Sequence, residues 1–162
     1  MSGLEILCTL PTLGVGVLQA QGELLHISYF HSKPTLADMA QAGDRIDAFR
    51  LRHGRPIPEL VIFSSLSQLP DDDVRKRIAR KSKQREALTL ATVTVFGGDG
   101  FAAAVARSII TGIHMASQRK LPLRLAASVP EAIRLLHEMG WCRIPAPQIE
   151  QAIAKLSATK VA

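Results

Sequence analysis

Hydrophobic residues recur along the chain with two different periods, and the alternation of these periods predicts an α/β protein. Short apolar or alternating runs, typical of strands, cover residues 4–10, 13–19, 24–30, 60–63, 88–96 and 121–127. Segments with apolar positions three and four residues apart, typical of amphipathic helices, separate or follow these runs. After residue 24 the two patterns alternate, which favours a mostly parallel or mixed sheet with right-handed crossovers.

Local turn and cap signals support this order of elements. The dipeptide Gln21-Gly22 separates two apolar runs and predicts a β-hairpin over residues 13–30. Thr35 precedes the first helical pattern, and Asp38 follows it by the three residues of a capping box. Both signals are local, so they predict boundaries without specifying how the elements pack.

The C-terminal part of the chain differs from the rest. Pro145 and Pro147 form a stiff spacer, and a last amphipathic pattern follows them. We therefore expect residues 1–140 to form a single domain. Residues 141–162 are expected to be a proline-containing spacer and a C-terminal amphipathic helix.

Composition limits the class of protein. Of 162 residues, 47% are hydrophobic but only 4% are aromatic, so one aliphatic core is expected. This excludes a disordered chain, a collagen or coiled-coil fibre and a disulfide-stapled miniprotein. Cys8 and Cys142 lie far apart and outside any metal-ligand spacing, as is typical of buried thiols in a reducing compartment.

The sequence also bears on location. The N-terminal residues carry Glu5 and lack the basic region of a secretory signal. The longest apolar stretch, residues 101–116, contains Arg107 and His114 and is shorter than the roughly 20 residues that a membrane span needs. We therefore expect a cytoplasmic protein without a membrane span.

The net charge of +6 is concentrated in one predicted helix. Its basic residues are Arg75, Lys76, Arg77, Arg80, Lys81, Lys83 and Arg85. Acidic residues 71–73 precede them, which is the charge order that the helix dipole favours, so a solvated helix face is expected. Nucleic-acid binding through this segment is an alternative, but no aromatic side chains for base stacking are interleaved with the charges.

A glycine-rich loop joins the end of the fifth predicted strand to a helix. It consists of Gly97, Gly98, Asp99 and Gly100. Backbone amides at such a junction can hold an anion, although the loop matches neither a P-loop nor the Gly-x-Gly-x-x-Gly pattern. The alternative interpretation is a tight strand-to-helix turn.

Three serines follow the buried strand at 60–63, at the edge where open α/β sheets bind ligands. They are Ser64, Ser65 and Ser67, and Asp71 follows them at the start of the basic helix. The alternative is a set of ordinary turn residues. No catalytic set is evident, and the five histidines lack the spacing of a zinc site, so we expect neither metal nor cofactor.

Four strings between residues 24 and 140 carry a family resemblance, namely HISYFHSKPTLADM, LVIFSS, GFAAAVARSIITGI and LRLAASVPEAIRLL. In these the chain resembles STAS-like domains, the fold of bacterial anti-sigma-factor antagonists, and in particular small myxobacterial proteins of this type. The resemblance implies a four- to five-stranded sheet with helices packed mainly on one side.

In antagonist members of that family, phosphorylation of a serine at the start of the second helix switches protein binding. The corresponding stretch here, SSLSQLPDDD, lacks the Asp-Ser-Ser-Gly motif of those members. Ser65 and Ser67 are only positional counterparts, and Asp71 places a permanent negative charge there. This departure bears on the phosphorylation switch more than on the fold, and Ser64, Ser65, Ser67 and Asp71 stay the candidate switch or ligand edge.

Two functions are expected from these observations. The first is a non-enzymatic regulatory or protein–protein interaction module that uses residues 64–73 and 97–100 and has another protein as its partner. The second is a protein, or a weak enzyme, that binds a small anionic ligand at the carboxyl edge of the sheet. A homodimer is a further expectation, either through the terminal strands or through the small side chains of Ala104, Ser108, Gly112 and Ala116.

Overall fold

A computed structural model describes residues 3–159, which form six strands and five α-helices. In chain order these are β1 (Gly3–Thr9), β2 (Leu13–Ala20), β3 (Glu23–Phe30), α1 (Leu36–His53), β4 (Ile57–Phe63), α2 (Asp72–Gln84), β5 (Thr89–Phe96), α3 (Gly100–Ser117), β6 (Leu123–Ala126), α4 (Val129–Glu138) and α5 (Ala146–Ala158). Short 3₁₀ turns at Leu66–Gln68 and Glu86–Leu88 flank α2.

All six strands form one sheet, in which their spatial order is their order in the chain. The strands β1, β2 and β3 pair antiparallel, and β3, β4, β5 and β6 pair parallel. The expectation of a mixed α/β sheet is confirmed, but the expected four to five strands are wrong. The two edge strands are β1, which pairs with β2, and the four-residue β6, which pairs with β5.

Helices cover both faces of this sheet. Because β3 to β6 follow one another without a reversal, right-handed crossovers bring α1, α2 and α3 to the same face. The chain then passes beyond β6, and α4 and α5 pack on the opposite face. The expectation that the helices pack mainly on one side of the sheet therefore holds only for the three crossover helices.

The face under α4 and α5 is filled by apolar side chains. Leu25 and Ile27 of β3 pack there with Leu136 of α4 and Leu156 of α5, all fully buried. Gly14 of β2 allows the end of α5 to approach, because a Cβ at that position would lie 2.9 Å from Thr159 Oγ1 and 3.2 Å from Leu156 O. The C-terminal helix is thus part of the largest core cluster of the molecule.

Three phenylalanines cover the opposite face at the carboxyl ends of neighbouring parallel strands. Phe30 of β3, Phe63 of β4 and Phe96 of β5 are buried in one cluster with Ala42 of α1. The rings of Phe30 and Phe63 stack with their centroids 4.4 Å apart. Aromatic packing therefore occupies the part of this face where α/β sheets commonly bind ligands.

Local signals act as the sequence indicates. Gln21 and Gly22 both have positive φ, 55° and 79°, as a type I′ hairpin turn requires. Thr35 and Asp38 form a reciprocal capping box at the start of α1. None of the helices in the described part of the chain has the length and apolar content to cross a membrane.

Candidate functional site

Polar side chains line up across the middle of the sheet on the face under α1, α2 and α3. His26 and Ser28 of β3, Glu59 of β4, and Thr92 and Thr94 of β5 form this row, which we call the polar row. The strand register pairs His26 with Glu59 and Glu59 with Thr92. The serine, the two threonines and the histidine are all buried. Parallel pairing therefore creates a polar floor from residues that lie far apart in sequence.

The Glu59 carboxylate is the centre of this network. Its Oε1 accepts a hydrogen bond from Thr92 Oγ1 at 2.6 Å, and its Oε2 accepts one from Arg50 Nη2 at 3.1 Å. Arg119 Nη2 lies 3.6 Å from Oε1. Burial alone raises the pKa of Glu59, but the charges of Arg50 and Arg119 outweigh it. The resulting pKa lies well below the usual range, so the carboxylate is ionised.

Arg50 determines which nitrogen of His26 carries the proton. Its side chain is buried, and its Nη1 donates to Leu88 O at 3.0 Å and to Thr89 Oγ1. Its Nη2 lies 2.9 Å from His26 Nδ1. Because a guanidinium only donates, Nδ1 must accept, and the ring proton lies on Nε2. Burial lowers the pKa of His26, and the charge of Arg50 lowers it further against the opposing effect of Glu59.

Ser28, His26 and Glu59 resemble the nucleophile, base and acid of a hydrolase triad, but the proton is in the wrong place. His26 Nε2 lies 3.3 Å from Ser28 Oγ and carries the ring hydrogen, so it donates to the hydroxyl. A general base must accept the proton of the serine. Arg50 prevents this by occupying Nδ1, so the three residues do not form an activated serine nucleophile.

A cavity of about 140 Å³, which we call the central cavity, separates the polar row from the three crossover helices. Its volume is close to that of an engineered cavity known to hold benzene, roughly 150 Å³. Its apolar wall includes Met39, Ala42, Ile46, Ile78, Ile110 and Ile113. The cavity thus has a hydrocarbon wall on the helix side and hydrogen-bonding groups on the sheet side.

The basic helix α2 contributes directly to this cavity. Arg77, Lys81 and Arg85 lie four residues apart, and all three line it. Asp47 of α1 accepts a hydrogen bond from Arg85 Nε at 2.5 Å and lies 3.4 Å from Lys81 Nζ. The expectation that the whole basic segment is a solvated face is wrong, because this stripe faces the sheet.

Two buried polar atoms at the cavity have no hydrogen-bond partner among the described residues. They are Arg119 Nε and His114 Nδ1. Burial lowers the pKa of His114, and the charge of Arg119 lowers it further. His114 is half-buried and lines the cavity. Unpaired buried donors are costly, which marks this end of the cavity as unusual.

The serines singled out from the sequence lie elsewhere. Ser64 Oγ accepts a hydrogen bond from the Gln68 side chain at 2.9 Å, and the Oγ atoms of Ser65 and Ser67 are 2.7 Å apart. Asp71 precedes α2 and forms an exposed ion pair with a lysine. None of these four sequence-predicted residues lines the central cavity.

The loop at 97–100 lies next to this serine segment, since Gly97 N donates to Phe63 O at 3.2 Å. Gly98 lines a second cavity of about 160 Å³ at the carboxyl ends of β5 and β6, together with Arg107. The carboxyl edge therefore does hold a cavity beside the glycine loop. The serines take no part in it.

The polar network includes residues that the sequence pattern did not single out. A strand was expected only from residue 60, but β4 begins at Ile57 and includes Glu59. A carboxylate beside the apolar run and three basic residues at intervals of four were the available signals. In the sequence, Arg50 has the position of an ordinary basic residue near the end of a helix.

Comparison with models of protein families finds no match to the chain, and comparison with curated proteins finds none either. The STAS-like resemblance therefore stays a prediction. Within residues 3–159, no group of three or more histidines, cysteines or acidic residues could hold a metal ion. The geometry of the polar row and the central cavity is the basis for the function proposed next.

Proposed function

We propose that the protein binds a small organic molecule in the central cavity. The observation that carries this proposal is the meeting of an apolar wall from three helices with a buried polar floor in one cavity. Ligand sites in proteins are typically apolar with a few convergent polar groups. This is the ligand-binding alternative expected from the sequence, moved from the carboxyl edge to the middle of the sheet.

The network under the cavity favours binding over serine-based hydrolysis. His26 holds its ring proton toward Ser28 and has no free nitrogen with which to activate it. Glu59 is engaged by Thr92 and Arg50 and is therefore held in one position. Because these side chains hold one another in place, they can orient a ligand without moving.

A thermal-shift experiment tests this proposal with two sets of related compounds. Benzoate, benzamide and benzylamine share a ring, while butyrate, butyramide and butylamine share a chain. A ligand that binds the native state raises the melting temperature. We expect at least one of the six to do so.

A filling variant locates the binding. Ser82 of α2 lines the cavity, so Ser82→Leu reduces its volume, while Gln84→Leu changes an exposed position of the same helix. The shift should vanish in the first variant and persist in the second. The proposal is wrong if no compound shifts the melting temperature, or if the shift survives in Ser82→Leu.

A second candidate is the STAS-like protein–protein interaction module expected from the sequence, and the outer side of α3 favours it. Phe101 and Met115 are 83% and 72% exposed. The small residues Ala104, Ser108, Gly112 and Ala116 are exposed as well. A second copy of the chain is the partner to test first.

Light scattering measures this directly. A dimer that Met115→Glu dissociates and Leu51→Glu leaves intact supports the module, since Leu51 is equally exposed on α1. A monomer at every concentration contradicts self-association through α3.

A further inference from the structure

We propose that the ligand of the central cavity is a small carboxylate, held by Arg119 with the help of His114. This inference rests on the proposed function and adds the chemical class of the ligand. Three observations carry it, namely the charge around the cavity, the unused donor capacity of the Arg119 guanidinium and the size of the space.

The charges around the cavity favour an anion. The charged side chains that line it are Arg77, Lys81, Arg85, Arg119 and Glu59. Four of these are cationic and one is anionic. Asp47 partly offsets Lys81 and Arg85 from outside the lining. Glu59 pairs with Arg50 and lies 3.6 Å from Arg119, so this one anion is shared between two cations.

Arg119 is held in place while part of its donor capacity stays unused. Its side chain is only 5% exposed, and its Nη2 donates to Thr92 Oγ1 at 2.5 Å. Because a guanidinium is planar, this bond also constrains the direction of the Nε–H group. That nitrogen is buried and has no hydrogen-bond partner among the described residues. A fixed guanidinium donor matches the geometry of a carboxylate oxygen better than that of a neutral or cationic group.

His114 provides a second polar atom at the same cavity. Its Nδ1 is buried and unpartnered, and a neutral imidazole can carry its proton there and donate it. Burial lowers the pKa of His114 and the charge of Arg119 lowers it further, which favours the neutral imidazole. Arg119 and His114 thus bring one cation and one neutral polar group to the same cavity.

The size and wall of the cavity limit what carries the carboxylate. A volume of about 140 Å³ suits a benzene-sized group, and Ile78, Ile110 and Ile113 supply apolar contacts for it. A phosphate dianion would bring more charge close to the buried Glu59 carboxylate and would lose more hydration. A monocarboxylate with a short apolar body fits both ends of the cavity.

Calorimetric titration of the full chain tests this class. We expect benzoate or butyrate to bind roughly tenfold or more tightly than the matching amide and amine, because only the carboxylate pairs with Arg119. Inorganic phosphate, titrated in parallel, should bind more weakly than the carboxylate. Tighter binding of phosphate would overturn the inference.

Two conservative variants separate the central cavity from the second one. Arg119→Lys keeps the charge but loses the planar donor, and should weaken carboxylate binding about tenfold. Arg107→Lys changes an exposed arginine at the second cavity and should leave the affinity unchanged. An unchanged affinity in the first variant, or a loss in the second, would overturn the inference.

His114→Leu provides a readout if Arg119→Lys fails to fold, because His114 is half-buried and its Nδ1 has no hydrogen-bond partner within residues 3–159. This variant should weaken the binding of the carboxylate and leave the binding of the matching amide unaffected. Suppose that benzamide binds, that Ser82→Leu abolishes this binding, and that benzoate does not bind. This result would refute the inference of a carboxylate ligand and leave the proposed function intact. Binding of none of the compounds would refute both.

Discussion

The two faces of the sheet are built from alternate residues of the same strands, yet they are filled in opposite ways. On β3, Leu25 and Ile27 point to α4 and α5, while His26 and Ser28 point to the crossover helices. The first face is a continuous apolar core. The second is aromatic at the carboxyl ends of the strands and polar in the middle, where a cavity remains.

This difference follows from how each set of helices is attached. The crossover helices α1, α2 and α3 are tied to the sheet at both ends by the strands they connect, so their position over the sheet is constrained by the chain. Helices α4 and α5 follow the last strand and are held by their apolar contacts. One face therefore supplies packing energy, and the other accommodates the costly polar network that carries the candidate chemistry.

Removing the charge at the centre of the polar face should have the largest effect on stability. Glu59→Gln leaves Arg50 and Arg119 buried without their anion, and we expect a loss of about 3–5 kcal/mol in the free energy of unfolding. Urea denaturation measures this. Glu5→Gln, which breaks an exposed pair with Arg52, should cost less than about 1 kcal/mol. Equal losses in the two variants would show that the buried network contributes nothing special.

Truncation on the apolar face should also destabilise, but without affecting the ligand. Leu136→Ala opens a cavity under α4 and should cost about 2–5 kcal/mol. Met139→Ala, at a position 44% exposed on the surface, serves as the control with a small loss. In folded Leu136→Ala the affinity for benzoate should equal that of the wild type. A change in affinity would contradict the separation of the two faces.

The polar face should also make stability depend on pH. The pKa of His26 is lowered in the folded protein from its ordinary 6.5, so below that value the unfolded chain binds the extra proton. Stability contributed by this group is therefore present at pH 7 and declines as the pH falls, by at most about 1.4 kcal/mol per pH unit.

His26→Asn isolates this effect, because asparagine can still accept from Arg50 and does not titrate. Its stability should vary less than that of the wild type between pH 7 and 5, measured by urea denaturation. His53→Asn, at an exposed position of α1, should leave the slope unchanged. A wild-type slope in His26→Asn would contradict the assignment.

The smallest effect is expected at the rim of the cavity. Asp47→Asn weakens the contacts with Arg85 and Lys81, which are only partly buried, and should cost about 0.5–1 kcal/mol. It also removes a negative charge near the cavity, so the affinity for benzoate should rise slightly. Asp44→Asn, exposed on the same helix, is the control. A fall in affinity would mean that Asp47 helps to hold the ligand.

Sequence reasoning succeeded where a feature depends on neighbours along the chain. The hairpin turn at Gln21 and Gly22 and the capping box of Thr35 and Asp38 each need only a few residues. The role of Arg50 could not be predicted in this way, because the residue has the sequence position of a basic helix end but turns inward to reach Glu59. The spacing of residues along α1 does not show which residue of the sheet lies beneath Arg50.

The amino-acid pattern alone therefore determined the alternation of strands and helices, the local turns and caps, and an aliphatic core. Only the tertiary structure decided that His26, Glu59 and Thr92 meet, because each joins the others through the register of parallel strands. Register and crossover handedness are properties of the whole sheet. They convert scattered polar residues into one buried row, place Arg50 and Arg119 on either side of a single carboxylate, and leave the cavity above it.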